Sequence, residues 1–142
     1  MSVKAFFDSN IFIYTFDDIA LEKQQIAQGL VKKALRDGSG NISYQVVQEV
    51  LNVLTRKLPL SMNVEDATRY LANTLEPLWR VQPGAEFFLS GLSLQARYKF
   101  GFYDSLIIAA ALAAGCTRLY SEDLQHGQRI EGLTIEDPFR EA

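Results

Sequence analysis

The stretch Phe102-Tyr103-Asp104-Ser105-Leu106-Ile107-Ile108-Ala109-Ala110-Ala111-Leu112-Ala113-Ala114-Gly115-Cys116-Thr117-Arg118-Leu119-Tyr120-Ser121-Glu122-Asp123 carries the fold in miniature. It opens near an acid, runs through Leu106, Ile107, Ile108 and the alanines at 109, 110, 111, 113 and 114, and stops at Gly115. Apolar side chains all round predict a helix over residues 104–114 in the middle of the molecule, with the alanines permitting close approach by its neighbours. Residues 117–121 then read as a short buried strand that runs into Ser121-Glu122-Asp123. The 11 steps from Asp104 to Gly115 carry a helix about 16 Å, and the strand returns a similar distance at about 3.3 Å per residue. Asp123 is therefore expected back beside Asp104.

The same rhythm extends to both sides. Residues 5–8 read as an apolar strand ending at Asp8, followed by a turn or short helix through residues 10–14; residues 41–43, 78–81 and 133–135 are further strands. Helices are predicted over residues 21–36, entered through Asp17-Asp18 and left at Gly38, and over residues 45–57, capped by Ser43 and stopped by Pro59. Two more cover residues 63–75, with Asn63 and Asp66 as a capping box, and residues 85–99. The inward stripes are Ile26, Leu30, Val31 and Leu35 in the first helix, Val47, Val50, Leu51 and Leu54 in the second, and Phe88, Leu92 and Ala96 in the last of these. No repeat or linker interrupts the pattern, so residues 1–142 read as one domain. Alternating strands and helices predict a three-layer α/β/α sandwich around a mostly parallel sheet of four or five strands. The carboxyl ends of such strands share one edge, and ligands bind there.

A chain of 142 residues with 48% hydrophobic residues can bury a core without covalent staples. Cys116 has no partner cysteine in the chain and suits a reducing cytoplasm as a buried packing residue. The longest charge-free run, 13 residues from Ser105 to Thr117, is shorter than the about 20 a bilayer span takes. The first residues hold no signal-peptide stretch before Asp8. A cytoplasmic, membrane-free location is expected.

Four acids fall on the predicted ligand edge. Asp8 ends the first strand, Asp104 opens the central helix, Asp123 follows the fourth strand, and Glu49 lies where the apolar stripe of its helix meets solvent. Each alone has an ordinary reading: a turn acid, a helix-dipole acid, a loop acid or cap, a solvated helix acid. Their convergence on one edge is what separates them from scattered surface charge. Two carboxylates about 4 Å apart repel by roughly 4 kcal/mol at an effective dielectric of about 20, so such a cluster protonates or binds a cation. An all-oxygen site without histidine or cysteine suits Mg²⁺ or Mn²⁺ better than zinc, and such an ion supports in-line hydrolysis of a phosphodiester.

The segments Phe6-Phe7-Asp8-Ser9-Asn10-Ile11-Phe12-Ile13-Tyr14, residues 43–49, Phe102 through Ala111 and Leu119-Tyr120-Ser121-Glu122-Asp123-Leu124-Gln125-His126-Gly127 resemble, in order, the motifs of PIN-domain ribonucleases. The form is most similar to VapC-type toxins of toxin–antitoxin pairs, and the resemblance extends over nearly the whole chain. It implies a PIN-like fold and a Mg²⁺- or Mn²⁺-dependent endoribonuclease that leaves 5′-phosphate and 3′-hydroxyl ends on a structured RNA such as tRNA or rRNA. It places the catalytic, metal-holding acids at Asp8, Glu49, Asp104 and Asp123, and the polar residues that orient them at Ser9, Asn10 and Ser121. Glu122 stands beside these, facing solvent or lining the RNA groove. The resemblance also implies a cognate antitoxin covering the crevice, and a homodimer, for which Ile11, Phe12 and residues 51–58 are read as contact surface. The alternatives are a non-catalytic PIN-like assembly module and a stand-alone nuclease without antitoxin. A phospho-receiver domain would want an acidic pair after the first strand, and a haloacid-dehalogenase phosphatase would want Asp-x-Asp where this chain has Asp8-Ser9-Asn10.

Arg97 and Lys99, with Arg56, Lys57 and Arg80, are candidate phosphate contacts, a role balanced against that of solvated helix ends. Tyr14, Tyr44, Tyr98 and Tyr103 can stack on unpaired bases, although aromatic residues near helix ends more often belong to a core or interface. His126, beside Gly127, reads as a turn residue and receives no catalytic role. The formal charge of −3, from 14 basic and 17 acidic residues, argues at first against a nucleic-acid partner. Without Asp8, Glu49, Asp104, Glu122 and Asp123, however, 12 acids remain against 14 basic residues. The acidity belongs to the proposed site, and the rest of the chain is compatible with RNA.

Overall fold

The computed structural model describes residues 4–56 and 61–141. Its elements are β1 (Ala5–Phe7), α1 (Ser9–Tyr14), α2 (Leu21–Asp37), β2 (Gly40–Ser43), α3 (Tyr44–Arg56), α4 (Val64–Tyr70), β3 (Trp79–Val81), α5 (Ala85–Tyr98), α6 (Phe102–Ala113), β4 (Arg118–Tyr120), β5 (Arg129–Ile130) and β6 (Leu133–Glu136). The strands form one sheet in the order β3-β2-β1-β4-β6-β5. All neighbours are parallel except β5, which turns antiparallel onto β6. β5 is the strand missing from the sequence reading: two residues carry no alternation to detect. Its turn passes through Glu131 and Gly132, at φ 50° and 91°.

From β1 the chain steps outward to β2 and β3, then returns to β4 on the other side of β1. Right-handed crossovers put α1 to α4 on one face and α5 and α6 on the other; α1 packs on α2 and α3, α3 on α4, and α5 on α6. The reversal between β1 and β4 opens a crevice at the carboxyl edge. There the Asp8 amide donates to the Tyr120 carbonyl at 3.0 Å, carrying the β1–β4 ladder one residue further and setting Asp8 beside Ser121.

The centre is α6, in which every residue from Ser105 to Ala111 is buried. Its one buried hydroxyl, that of Ser105, donates to the Gly101 carbonyl at 2.9 Å. Full burial of each Leu or Ile contributes about 1.5–3 kcal/mol, so this helix anchors the layer. α5 lies against it at Gly91, where a Cβ would come within 2.7 Å of Leu106 Cδ2.

That close approach overturns the stripe read for α5. Phe88, Leu92 and Ala96 face outward, while Gly91 and Leu94 are buried, flanked by the half-buried Phe87 and Tyr98. Both faces of the helix are apolar, and the one with the glycine turns inward because only it lets the helices meet. In α2 likewise Ala27, Val31 and Ala34 are buried and Leu35 is exposed. Ala34 packs where Gly40 leaves no room for a side chain. The acid before α2 acts one step early: Ala20 holds the cap position, and Asp17 Oδ1 accepts from the amides of Ile19 and Ala20 at 3.0 Å. α4 stops at Tyr70, and the chain continues through a π turn (Leu71–Leu75) and a 3₁₀ turn (Glu76–Leu78) into β3. Asn63 Oδ1 accepts from the Asp66 amide at 2.8 Å.

Ile11, Phe12 and Leu54 are fully buried and offer no contact surface; they belong to the core under α1 and α3. Exposed apolar residues among those described include Phe88, Leu89 and Leu92 on α5 with Phe102 and Tyr103 on α6, and also Ile19, Leu21, Leu35, Tyr44 and Val64 elsewhere. Lys57, Leu58 and Pro59 lie outside the described residues. No described helix is long and apolar enough to cross a membrane.

Candidate active site

The four acids arrive from four separate segments. Asp8 leaves β1 and caps α1, its Oδ1 accepting from the Ser9 amide at 2.8 Å, while its Oδ2 accepts from Ser121 Oγ at 2.9 Å. Glu49 comes from the second turn of α3, whose start sits at the carboxyl end of β2. Asp104 lies in the first turn of α6 and is exposed. Asp123 follows β4, and its Oδ2 accepts from Asn10 Nδ2 at 2.8 Å. Gln45 Nε2 donates to the Tyr103 carbonyl at 3.3 Å, tying the beginning of α3 to that of α6, the two helices that carry Glu49 and Asp104.

The charges feel one another. Burial pushes the Asp8 carboxyl up to about 6, with Glu49 and Asp123 adding repulsion, against the downward pull of the Ser121 and Ser9 hydrogen bonds. Glu49 is raised by burial and by Asp104 and Asp123, with Gln45 and Ser9 pulling it down, and Asp104 is raised by burial and by Asp123. Glu49 Oε1 is buried without a hydrogen-bond partner. A buried carboxylate oxygen without a donor, in an all-oxygen cluster of like charge, matches the chemistry of a hard divalent cation. Among the described residues no three His, Cys, Asp or Glu side chains stand close enough together to hold an ion as placed. Asp104 and Asp123 are exposed, and Asp123 is held by Asn10.

Glu122 lies outside this cluster. Its carboxylate is held by Lys23 and Tyr14, and no local spacing points to Lys23, which stands 99 residues away. Gln45 shares the helix face of Glu49 in the sequence, one turn before it. Arg97 is paired with Glu131 at 3.4 Å, and Lys99 ends α5 in the left-handed conformation at φ 63°. Tyr14 is tied to Glu122 and Tyr98 stacks on Phe100, whereas Tyr44 and Tyr103 are exposed. The last two line an uncharged groove of about 480 Å³ with Val81, Pro83, Phe88 and Phe102, next to the helix starts that bear the acids. His126 Nδ1 accepts from the Asp137 amide at 3.0 Å, joining two loops.

An α/β/α sandwich with mutually repelling carboxylates at the switch point of its sheet defines the class. The PIN domain pattern matches residues 5–129, a span that includes all four acids, and the chain belongs to the PIN domain family. No curated protein matches it in sequence. Its fold is similar to that of a toxin-antitoxin complex from Klebsiella pneumoniae, with a TM-score of 0.68 and 19% identity over 94% of this chain and 97% of that one. VapBC2 from Rickettsia felis, solved bound to a DNA fragment from its promoter, gives a TM-score of 0.65 at 16% identity, covering 93% and 96% of the two chains. Mycobacterium tuberculosis VapC20, a Sarcin-Ricin loop cleaving toxin, gives 0.61 at 18% identity, covering 84% and 89%.

The burial of Asp8 has a measurable consequence. Below its ordinary value of 3.8 the group is protonated folded and unfolded alike; between 3.8 and about 6 the unfolded chain releases the proton that the folded chain keeps. Stability therefore falls as pH rises through that window, by on the order of 3 kcal/mol from this group. Asp8→Asn is expected to stabilise the ion-free chain at pH 7.5 by about 1–3 kcal/mol, and to differ little from the unaltered chain at pH 4, in denaturant melts with chelator present. A loss of stability at pH 7.5 would contradict the electrostatic account.

Proposed function

We propose that the chain is a Mg²⁺- or Mn²⁺-dependent endoribonuclease, the toxin of a toxin–antitoxin pair, acting in the cytoplasm as a single PIN-like domain. The observation that supports this reading most is the mutual repulsion of Asp8, Glu49, Asp104 and Asp123, brought near one another from four segments, with the buried Glu49 Oε1 lacking a hydrogen-bond partner. These four are the proposed ligands. When bound, the ion offsets charge on the phosphodiester and lowers the pKa of attacking water. The chain's own part is placement: Ser121 Oγ and the Ser9 amide hold Asp8, and Asn10 holds Asp123. Membership of the PIN domain family and likeness of fold to toxins solved with or without their antitoxins support the nuclease and the partner.

The expected outcome is chelator-sensitive cleavage of structured RNA, reduced at least about a hundredfold in Asp8→Asn or Asp104→Asn, with both variants folded by circular dichroism. Undiminished cleavage by a purified variant would contradict the ligand assignment. Divalent binding without cleavage of any RNA would favour the non-catalytic module.

The homodimer is proposed to form through the exposed apolar residues Phe88, Leu89, Leu92, Phe102 and Tyr103, of which Phe88, Phe102 and Tyr103 line an uncharged aromatic groove of the composition found at interface cores. Leu89→Glu with Leu92→Glu is expected to halve the mass seen by light scattering at micromolar concentration. A monomeric parent chain, or a doubly substituted chain that remains dimeric, would exclude this face.

A further inference from the structure

Glu122 adjoins Asp123 in sequence but has partners of its own. Its Oε1 accepts from the Tyr14 hydroxyl at 2.6 Å and its Oε2 from Lys23 Nζ at 2.7 Å, so both oxygens are engaged. Lys23 Nζ lies 5.0 Å from the centre of the Tyr14 ring and 5.9 Å from that of Phe139, and the two rings meet at 4.8 Å. Side-chain exposure is 30% for Lys23 and 24% for Glu122. A solvated ion pair fixes little, whereas one sheltered by two rings and closed by a second hydrogen bond holds a geometry.

The arrangement engages α1 twice. Asn10 and Tyr14 are four residues apart, one turn on one helical face, and they hold Asp123 and Glu122 respectively. The same helix holds Asp8 through the Ser9 amide. One short helix therefore sets Asp8 and Asp123 relative to each other, and Lys23 of α2 fastens it to the turn after β4.

We propose that Lys23, Tyr14 and Glu122 form a latch that positions Asp123, with Glu122 a holding residue and not a fifth ligand. The inference rests on the proposed role of Asp123 as a ligand. The latch also sets Glu122's charge against Lys23, leaving four carboxylates to face the ion.

The test compares Lys23→Met, Lys23→Arg and Tyr14→Phe with the unaltered chain, by Mn²⁺ titration without RNA and by hydrogen exchange of the amides of residues 121–125. Lys23→Met is expected to weaken Mn²⁺ binding about tenfold or more and to speed exchange in that turn. Lys23→Arg should restore both, and Tyr14→Phe, which keeps the ring against Phe139, should fall between. Should Lys23→Met not fold, Tyr14→Phe carries the test. Unchanged affinity and exchange overturn the latch, as does faster exchange spread evenly over the sheet, the mark of a merely structural role. If the unaltered chain binds no Mn²⁺, it is the ligand set that fails. Exchange then decides the latch alone: acceleration confined to residues 121–125 upholds it, and no change overturns it.

Discussion

A carboxylate buried where a parallel sheet reverses its strand order is the constraint on which the structure turns. Asp8 stands at 7% exposure between β1 and β4, in a position where ionisation is opposed by burial and by two neighbouring acids. Ser121 and the Ser9 amide offset part of that cost, though too little to return the group to its ordinary range. A sequence selected for stability alone would place Asn or Ser here, as buried charge is retained where chemistry requires it.

The remainder of the fold delivers the other acids to the same place. α6 is buried along most of its length, so the position of Asp104 in its first turn follows from packing against the sheet and against Gly91 of α5. β4 returns antiparallel to α6 and brings Asp123 back to the level at which α6 began. Glu49 depends on α3, whose start is tied through Gln45 to the Tyr103 carbonyl. Rigid elements thus set where each backbone stands, with Asp104 exposed and Asp123, also exposed, hydrogen-bonded to Asn10.

Where a single strong pattern exists, the sequence could be read. α6 has no polar face, Gly115 ends it, and helix rise against strand rise is enough to bring Asp104 and Asp123 together. The parallel α/β/α layering follows from the alternation of elements. Where two patterns compete, it could not. α5 offers one apolar stripe through Phe87, Gly91, Leu94 and Tyr98 and another through Phe88, Leu92 and Ala96, and the glycine contact with Leu106 that decides between them is a tertiary event. The latch at Glu122 joins residues 99 apart through contacts that no local spacing announces. β5 is too short for any periodicity, and the turn after Tyr70 has no residue that marks its π winding.

The measurement that bears most directly on this account is proton release on Mn²⁺ binding to the RNA-free chain, followed by calorimetry in buffers of differing ionisation heat. With the Asp8 carboxyl near 6, binding at pH 6 is predicted to expel roughly half a proton from that group. The release should fade by pH 8 and be smaller in Asp8→Asn, where the raised Glu49 and Asp104 carboxyls remain. Binding that releases no proton at pH 6, or releases the same amount in Asp8→Asn, would contradict the claim that the buried carboxylate at the switch point is the heart of the site.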